Sequence, residues 1–198
     1  MTFLGDSMYV HNSIEQSLHE FFFCILGVKV LLYERSPRSN GPRSPWAIKK
    51  LSKAHATLDI AERLDQEAKI LKSLTHPNII GYRGFKRNAD GTRVLALETG
   101  KDCRSLFDTI ENLRDDCQEE NLKPFAPKTI LFVIKEIAKA LHYLHTEKHL
   151  LHGDLKSANV LIVGEFDAVK LCDFGVTLAL GKWALGIHKI YHKKGHFI

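Results

Sequence analysis

The sequence predicts an α+β fold of two lobes, in which a small β-rich lobe precedes a mainly helical one. Two observations lead to this prediction. Short β-prone runs recur up to residue 98 around one long amphipathic helix, whereas a second long amphipathic helix dominates the chain after Gly100. The 198 residues, 44% of them hydrophobic, suffice for one sizeable core or two small ones.

Four strand candidates form the first lobe. Residues 25–34 and 46–51 flank a stretch rich in Ser, Pro, Gly and Asn, which is typical of an exposed loop. The other two candidates, 78–85 and 93–98, are joined by an Asn-Ala-Asp-Gly turn. The most apolar run, 21–32, contains a lysine and is too short to span a bilayer, so we interpret it as strand material and expect no membrane association.

A helix is predicted at 57–74, between the two pairs of strands. Its apolar residues recur at spacings of three and four, which predicts a single buried stripe. Glu67 lies beside this stripe and therefore borders the buried face. The helix ends before His76-Pro77, because a proline biases the preceding residue away from helical geometry. The predicted stripe consists of Leu58, Ala61, Leu64, Ala68, Leu71 and Leu74.

The second lobe begins with a short helix candidate at 105–113, followed by a charged connection. A long helix is then predicted at 128–147, and two short strands at 160–163 and 168–172 follow it around a tight turn. The apolar residues of the long helix again follow helical spacing. They predict a core stripe of Ile130, Ile134, Ile137, Leu141 and Leu144.

Charge and cysteine content exclude several classes of protein. The net charge of +5 is mild, and much of it lies in the basic tail, which we interpret as solvated. We expect no nucleic-acid partner, because the tail lacks an aromatic-interleaved basic stripe or a known reading motif. The four scattered cysteines form no Cys-x-x-Cys pair, which argues against zinc and disulfide frameworks and favours a reduced compartment, the cytoplasm or the nucleus.

Polar residues are concentrated in two loops beside the last pair of strands. The stretch 152-HGDLKSANV-160 leads into one strand, and 171-LCDFGV-176 follows the other. Carboxylate and amide oxygens suit hard cations, and a lysine suits phosphate. A lone Asp-Phe-Gly is common turn material, but its combination with the His-x-Asp-x-Lys-x-x-Asn motif predicts a site for metal and phosphate.

The order of these motifs resembles the eukaryotic protein kinase family over about residues 25–180. An Ala-x-Lys on a strand, a Glu on a helix, the His-x-Asp-x-Lys-x-x-Asn loop and Asp-Phe-Gly follow one another as in that family. The resemblance implies a kinase N-lobe and hinge at 25–100 and a partial C-lobe at 101–180. It leaves residues 1–24 unassigned and 181–198 as a divergent basic tail.

The resemblance also implies ATP and Mg²⁺ as cofactors and a protein substrate with Ser/Thr hydroxyls, and it leaves Tyr hydroxyls open. Asp154 would orient the substrate hydroxyl or accept its proton, and Lys156 would steady the transferring phosphate. Asn159 and Asp173 would bind the magnesium. Stretches such as 67-EAKILKSLTHPNIIGYRGF-85 are further similar to kinases related to the MAP kinase kinases, which implies a role in mitotic and stress signalling.

The nucleotide would lie between the lobes. Lys49 would hold the α- and β-phosphates, with Glu67 as its ion-pair partner. The adenine ring would be hydrogen-bonded by the hinge backbone at Glu98, Thr99 and Gly100. It would be sandwiched by the side chains of Val30, Ala47 and Leu161.

The chain departs from the family pattern in three places. Gly153 stands where most protein kinases have Arg, so a contact from that position to a phosphorylated activation loop is lost. Only Gly27 remains of the glycine-rich loop in 25-ILGVKV-30. The resemblance ends after Leu180 without an Ala-Pro-Glu segment, so we expect a truncated kinase domain.

Two alternatives stay open. A catalytically impaired kinase fragment would act as a binding module, which the truncation favours. A small-molecule phosphotransferase of the aminoglycoside or choline kinase type would share the His-Gly-Asp motif. Lys156 and the stretch 76-HPNII-80 fit protein kinases better.

Overall fold

The computed structural model describes residues 28–33, 46–51, 57–98, 102–115 and 124–181. The predictions for residues 1–24, for Gly27, for Thr99 and Gly100, and for the basic tail beyond residue 181 lie outside these ranges. Among the described residues, none of the helices has both the length and the apolar character needed to cross a membrane.

The first part of the chain forms four strands, β1 (Val28–Tyr33), β2 (Trp46–Leu51), β3 (Gly81–Arg87) and β4 (Arg93–Glu98). They make an antiparallel sheet with the order β1-β2-β4-β3. The strands at 46–51 and 93–98 have the predicted bounds, but β3 begins at Gly81 and not at residue 78. Residues 78–80 pair elsewhere, since Leu171 donates its N–H to the carbonyl of Asn78 at 2.8 Å and accepts the N–H of Ile80 at 3.0 Å.

Helix α1 (Leu58–Lys72) packs its apolar face against this sheet. Thr57 caps its start, where the side-chain oxygen accepts the N–H of Ile60 at 3.5 Å. The predicted stripe is buried except at Leu58, which is 75% exposed. The prediction was wrong there because a stripe is buried only as far as a partner surface extends over it. Glu67 is 3% exposed and thus lies on the buried face, not at its border.

The second part of the chain combines two helices with short strands. The elements are β5 (Cys103–Ser105), α2 (Leu106–Asp115), α3 (Pro127–Thr146), β6 (Leu150–Leu151), β7 (Val160–Val163), β8 (Ala168–Leu171) and β9 (Leu178–Ala179). Three of the strands form a sheet with the order β5-β7-β8, and β6 pairs with β9. The two-residue strands β6 and β9 were not predicted, because two residues show no periodicity.

The buried face of α3 differs from the predicted stripe. Ile137 and Leu144 are buried and Leu141 is partly buried against the core, but Ile130 is 46% exposed and Ile134 is 60% exposed. Two neighbouring apolar rows both follow helical spacing on this helix, and they share Ile137 and Leu144. The row that packs against the core consists of Val133, Ile137, Ala140, Tyr143 and Leu144.

The loop after α1 joins the two parts of the chain. The N–H of Thr75 donates to the hydroxyl of Tyr143 on α3 at 3.0 Å, and His76 stacks on the same ring at 4.9 Å. Asn78 donates its side-chain N–H groups to the carbonyl of Val169 at 3.0 Å and to Glu136 at 2.8 Å. These contacts fix α1 relative to α3 and β8, which flank the loops with the signature motifs.

Candidate active site

A cleft of about 390 Å³ lies between the four-stranded sheet with α1 on one side and β5, β7 and the signature loops on the other. Its volume falls in the range of small-ligand pockets. Nine of the residues predicted from the sequence line it, from segments as distant as β1 and the Asp-Phe-Gly loop. They are Val30, Ala47, Lys49, Glu67, Asp154, Lys156, Asn159, Leu161 and Asp173.

A buried ion pair forms one wall of the cleft. Nζ of Lys49 lies 2.7 Å from Oε1 of Glu67 and 3.3 Å from Oδ1 of Asp173. Burial alone would lower the pKa of Lys49, but the two carboxylates outweigh it and raise the pKa above its ordinary value. The ammonium therefore stays charged, which suits it to bind an anion in the cleft.

Asp154 is held by two neighbours in the loop between β6 and β7. Its Oδ2 accepts hydrogen bonds from Nζ of Lys156 at 2.7 Å and from Nδ2 of Asn159 at 2.9 Å. Burial would raise the pKa of Asp154, but these hydrogen bonds lower it below its ordinary value. The carboxylate is thus ionised and a weak base, which suits it better to orient a hydroxyl than to remove its proton in advance.

The buried side chain of His152 stabilises this loop through hydrogen bonds. Its ring is 1% exposed, its Nε2 lies 3.0 Å from the carbonyl of Cys172, and its Nδ1 accepts the N–H of Asp154 at 3.3 Å. Since a carbonyl can only accept, Nε2 carries the proton and the ring is neutral. Burial lowers the pKa of His152, which keeps it neutral.

The backbone at Asp173 aims its carboxylate at the cleft. Its φ of 65° lies in the left-handed region, which is uncommon for a residue other than glycine and is concentrated at functional sites. The next residue anchors the turn, because the ring of Phe174 is fully buried and its N–H donates to Oε1 of Glu67 at 3.4 Å. Glu67 therefore contacts both Lys49 and the Asp-Phe-Gly loop.

The structure describes the hinge end of the cleft only as far as Glu98. Leu97 lines the cleft beside Val30, Ala47 and Leu161, which gives this end of the cleft an apolar wall. Glu98 is not among the lining residues, and its side chain is ion-paired with Arg83. The predicted contact is with the backbone of Glu98, Thr99 and Gly100. Because Thr99 and Gly100 lie outside the described residues, the contact stays a prediction.

The donor set in the cleft fits magnesium. The side-chain nitrogen of Asn159 donates hydrogen bonds to Asp154, so the amide oxygen of Asn159 is the atom that can bind a metal ion. The carboxylate of Asp173 lines the same cleft. Two hard oxygen ligands completed by water and phosphate are typical of magnesium in such sites. No group of three or more His, Cys, Asp or Glu residues within the described ranges has the arrangement of an all-protein metal site.

Two features of the cleft were missed in the sequence. Cys172 lines it directly before Asp173, and burial raises the pKa of its thiol to about 12, so the thiol stays protonated. Asp108 also lines it, and the Ser105 side chain accepts the N–H of Asp108 at 3.0 Å at the start of α2. The stretch 105-SLFD-108 has the spacing of a capping box, a signal that could have placed Asp108.

Comparison with known proteins agrees with this geometry. The family model described as protein kinase domain matches residues 37–184. The chain is 48% identical over 157 residues to the human lymphokine-activated killer T-cell-originated protein kinase, an alignment that covers 78% of this chain and 47% of the relative. It is 34% identical to the mouse serine/threonine-protein kinase Nek4 over 68% of this chain and 16% of that protein.

A third relative is the Arabidopsis thaliana mitogen-activated protein kinase kinase kinase ANP1, with 29% identity over 70% of this chain and 18% of that protein. The chain thus spans less than half the length of each of these relatives. The family model nevertheless covers more than half of the 198 residues and includes both signature loops and the paired lysine and glutamate. This chain therefore belongs to the protein kinase domain family.

Proposed function

We propose that this chain forms the nucleotide-binding and catalytic part of an ATP-dependent kinase that phosphorylates Ser or Thr hydroxyls of protein substrates. The observation that carries the proposal is the convergence of Lys49, Glu67 and Asp173 with Asp154 and Asn159 at one cleft. Phosphoryl transfer requires positioning and charge neutralisation more than covalent help from the protein. Cationic and hard-oxygen groups around one cleft supply both.

Each residue has a role that follows from its contacts. Lys49 is buried, charged and oriented by Glu67, so it binds the α- and β-phosphates. The apolar wall with Val30, Ala47 and Leu161 sandwiches the adenine. Magnesium, when bound by Asn159 and Asp173, neutralises charge on the phosphates.

Asp154 positions the substrate hydroxyl for in-line attack. Its depressed pKa makes it an acceptor of the hydroxyl hydrogen bond, and it takes up the proton as the oxygen loses its basicity during transfer. Lys156 donates a hydrogen bond to the carboxylate of Asp154, and its ammonium steadies the transferring phosphate by balancing its charge. Asn159 holds Asp154 through a further hydrogen bond to its carbonyl oxygen at 2.8 Å.

The proposal is tested by nucleotide binding and transfer with the full chain. Thermal unfolding is measured with and without millimolar ATP and Mg²⁺ for the wild type and for Lys49→Met. We expect the nucleotide to raise the Tm of the wild type but not of Lys49→Met. Lys50→Met is the matched control, because Lys50 is the neighbouring lysine on the exposed side of β2, and this variant should respond as the wild type does.

The substrate class is tested by transfer to a generic protein substrate and to small alcohols and aminoglycosides. Phosphate on Ser or Thr of the protein supports the proposal, and the same assay shows whether Tyr is also accepted. Transfer to the small molecules alone would favour a small-molecule phosphotransferase. No Tm shift and no transfer would favour a binding module without catalysis.

The finer part of the proposal is a signalling role of the MAP kinase kinase type, in mitosis or stress responses and in the cytoplasm or nucleus. It is supported by the resemblance of the stretch quoted above and by the names of two relatives, a serine/threonine-protein kinase and a mitogen-activated protein kinase kinase kinase. Phosphorylation of a MAP kinase by the full chain would support it, and failure to do so with an active preparation would refute it.

A further inference from the structure

Helix α1 contacts the segment after β8 through a residue that no motif singles out. Nε2 of Gln66 donates a hydrogen bond to the carbonyl oxygen of Thr177 at 2.9 Å. Because a carbonyl can only accept, the amide nitrogen of Gln66 must face it. Arg63 lies one turn earlier on the same face of α1, against Gly175. The Cβ of Arg63 is 3.9 Å from the point where a Cβ on Gly175 would lie.

Thr177 is itself fixed on the catalytic loop. It is 1% exposed, its hydroxyl donates to the carbonyl of His152 at 3.3 Å, and its N–H donates to the carbonyl of Phe174 at 3.2 Å. The carbonyl that Gln66 reaches therefore belongs to a buried residue that is hydrogen-bonded to the loop with Asp154. The bond joins α1 to that loop.

Gly153 permits the close approach of this turn. Its φ of +84° lies in the left-handed region, and a Cβ at this position would be 2.9 Å from the carbonyl oxygen of Val176. A larger residue would push the 174–177 turn away from the catalytic loop and from Gln66. The turn is thus held by close packing and by hydrogen bonds between neutral groups. At position 153, glycine stands where an arginine would provide a cation.

We propose that Gln66 is a positioning residue for phosphoryl transfer, because it fixes α1 to the 174–177 turn and so holds the adjacent Glu67 in contact with Lys49. This inference rests on the proposed function. Glu67 makes its two contacts, with Lys49 and with the N–H of Phe174, at the same turn of the helix. Without the Gln66 bond, α1 keeps its core contacts but gains freedom to swing Glu67 away from Lys49.

The test compares Gln66→Met, which removes the donor at similar length, with Gln66→Lys, which retains a donor. Lys69→Met is the control on an exposed position of the same helix. We expect kcat to fall about fivefold in Gln66→Met with KM for ATP changed less than about twofold, as for loss of one hydrogen bond that orients the reacting groups. Gln66→Lys should recover most of kcat, and Lys69→Met should match the wild type.

Hydrogen exchange gives a second readout that does not depend on catalysis. In Gln66→Met we expect the amides of Phe174 and Thr177 to exchange about fivefold faster, while the amides of β7 and β8 keep their rates. Unchanged exchange at both amides would overturn the inference, as would an unchanged kcat. If the wild type transfers no phosphate, the proposed function fails, and the exchange rates alone decide whether Gln66 holds the turn.

Discussion

Nζ of Lys49 lies 2.7 Å from Oε1 of Glu67, and this contact joins the middle of β2 to the middle of α1. The side chains of Lys49 and Glu67 are 14% and 3% exposed, so water solvates both charges poorly and each needs the other as its ion-pair partner. Burial raises the pKa of Glu67, and Lys49 is the principal group that opposes this shift. The ionised state of Glu67 therefore depends on Lys49.

Lys49→Met should destabilise the protein by about 3 kcal/mol at pH 8, because it leaves a buried carboxylate without its partner. In this variant the folded-state pKa of Glu67 lies further above its unfolded value, so the folded state favours the protonated carboxyl group. The free energy of unfolding therefore decreases as the pH rises above about 4.5, where the unfolded carboxyl loses its proton. Denaturant unfolding at pH 5 and pH 8 measures this loss. Adding Glu67→Gln to Lys49→Met should remove most of it, and a double variant as pH-dependent as the single one would contradict the assignment.

Asp154→Asn should lower phosphate transfer by a factor of about 10²–10⁴, the range typical of a positioned acid or base. The amide cannot accept the proton of the substrate hydroxyl, yet it retains an oxygen for the hydrogen bond from Lys156. ATP affinity should stay within about twofold of the wild type, as measured by calorimetry. Retained turnover would remove Asp154 from the mechanism, and Asp59→Asn on the exposed first turn of α1 controls for the loss of a carboxylate.

Gly153→Ala should lower the free energy of unfolding by about 1–2 kcal/mol, because an L-residue is strained at a φ of +84° and its Cβ would meet the carbonyl of Val176. Gly84→Ala is a matched control, since nothing lies within 4 Å of a Cβ built there. Its effect should stay within about 0.5 kcal/mol. Equal effects of the two substitutions in urea unfolding would show that the turn does not press on Gly153.

The protein should lose stability as the pH falls below 6.5, because two buried or partly buried histidines must take up protons. The pKa of His152 is lowered from 6.5 by burial, so the folded state favours the neutral ring, and this contribution is complete above the unfolded pKa and declines as the pH falls through it. His76, whose Nδ1 accepts the N–H of Asn78 at 3.1 Å, has a pKa lowered in the same direction, also by burial.

Unfolding free energies measured from pH 7.5 to pH 5 test this expectation. His152→Asn should flatten the pH dependence in this window, and removing His76 as well should flatten it further. A His152→Asn variant with the full slope of the wild type would assign the effect to other groups.

Local patterns were sufficient for much of the fold. The bounds of β2, β4 and β7 follow directly from short β-prone runs between turn residues. The alternation along β2 also distinguishes the two adjacent lysines, since Lys49 faces the cleft and Lys50 is exposed. The start of β3 could not be read in this way, because residues 78–80 find their partner in Leu171, which lies about ninety residues further along the chain.

What the sequence by itself determined was the order of the elements and the chemical types of the candidate site residues, because periodicity and motif spacing act over a few neighbouring residues. The tertiary structure alone decided that Val133, not Ile134, faces the core on α3, that Glu67 is buried against Lys49, and that Gln66 reaches Thr177. Each of these contacts joins segments distant along the chain. Which surfaces meet depends on how the whole core packs. The sequence pattern alone does not distinguish between two apolar rows on one helix, because the packing of the core selects the row that is buried.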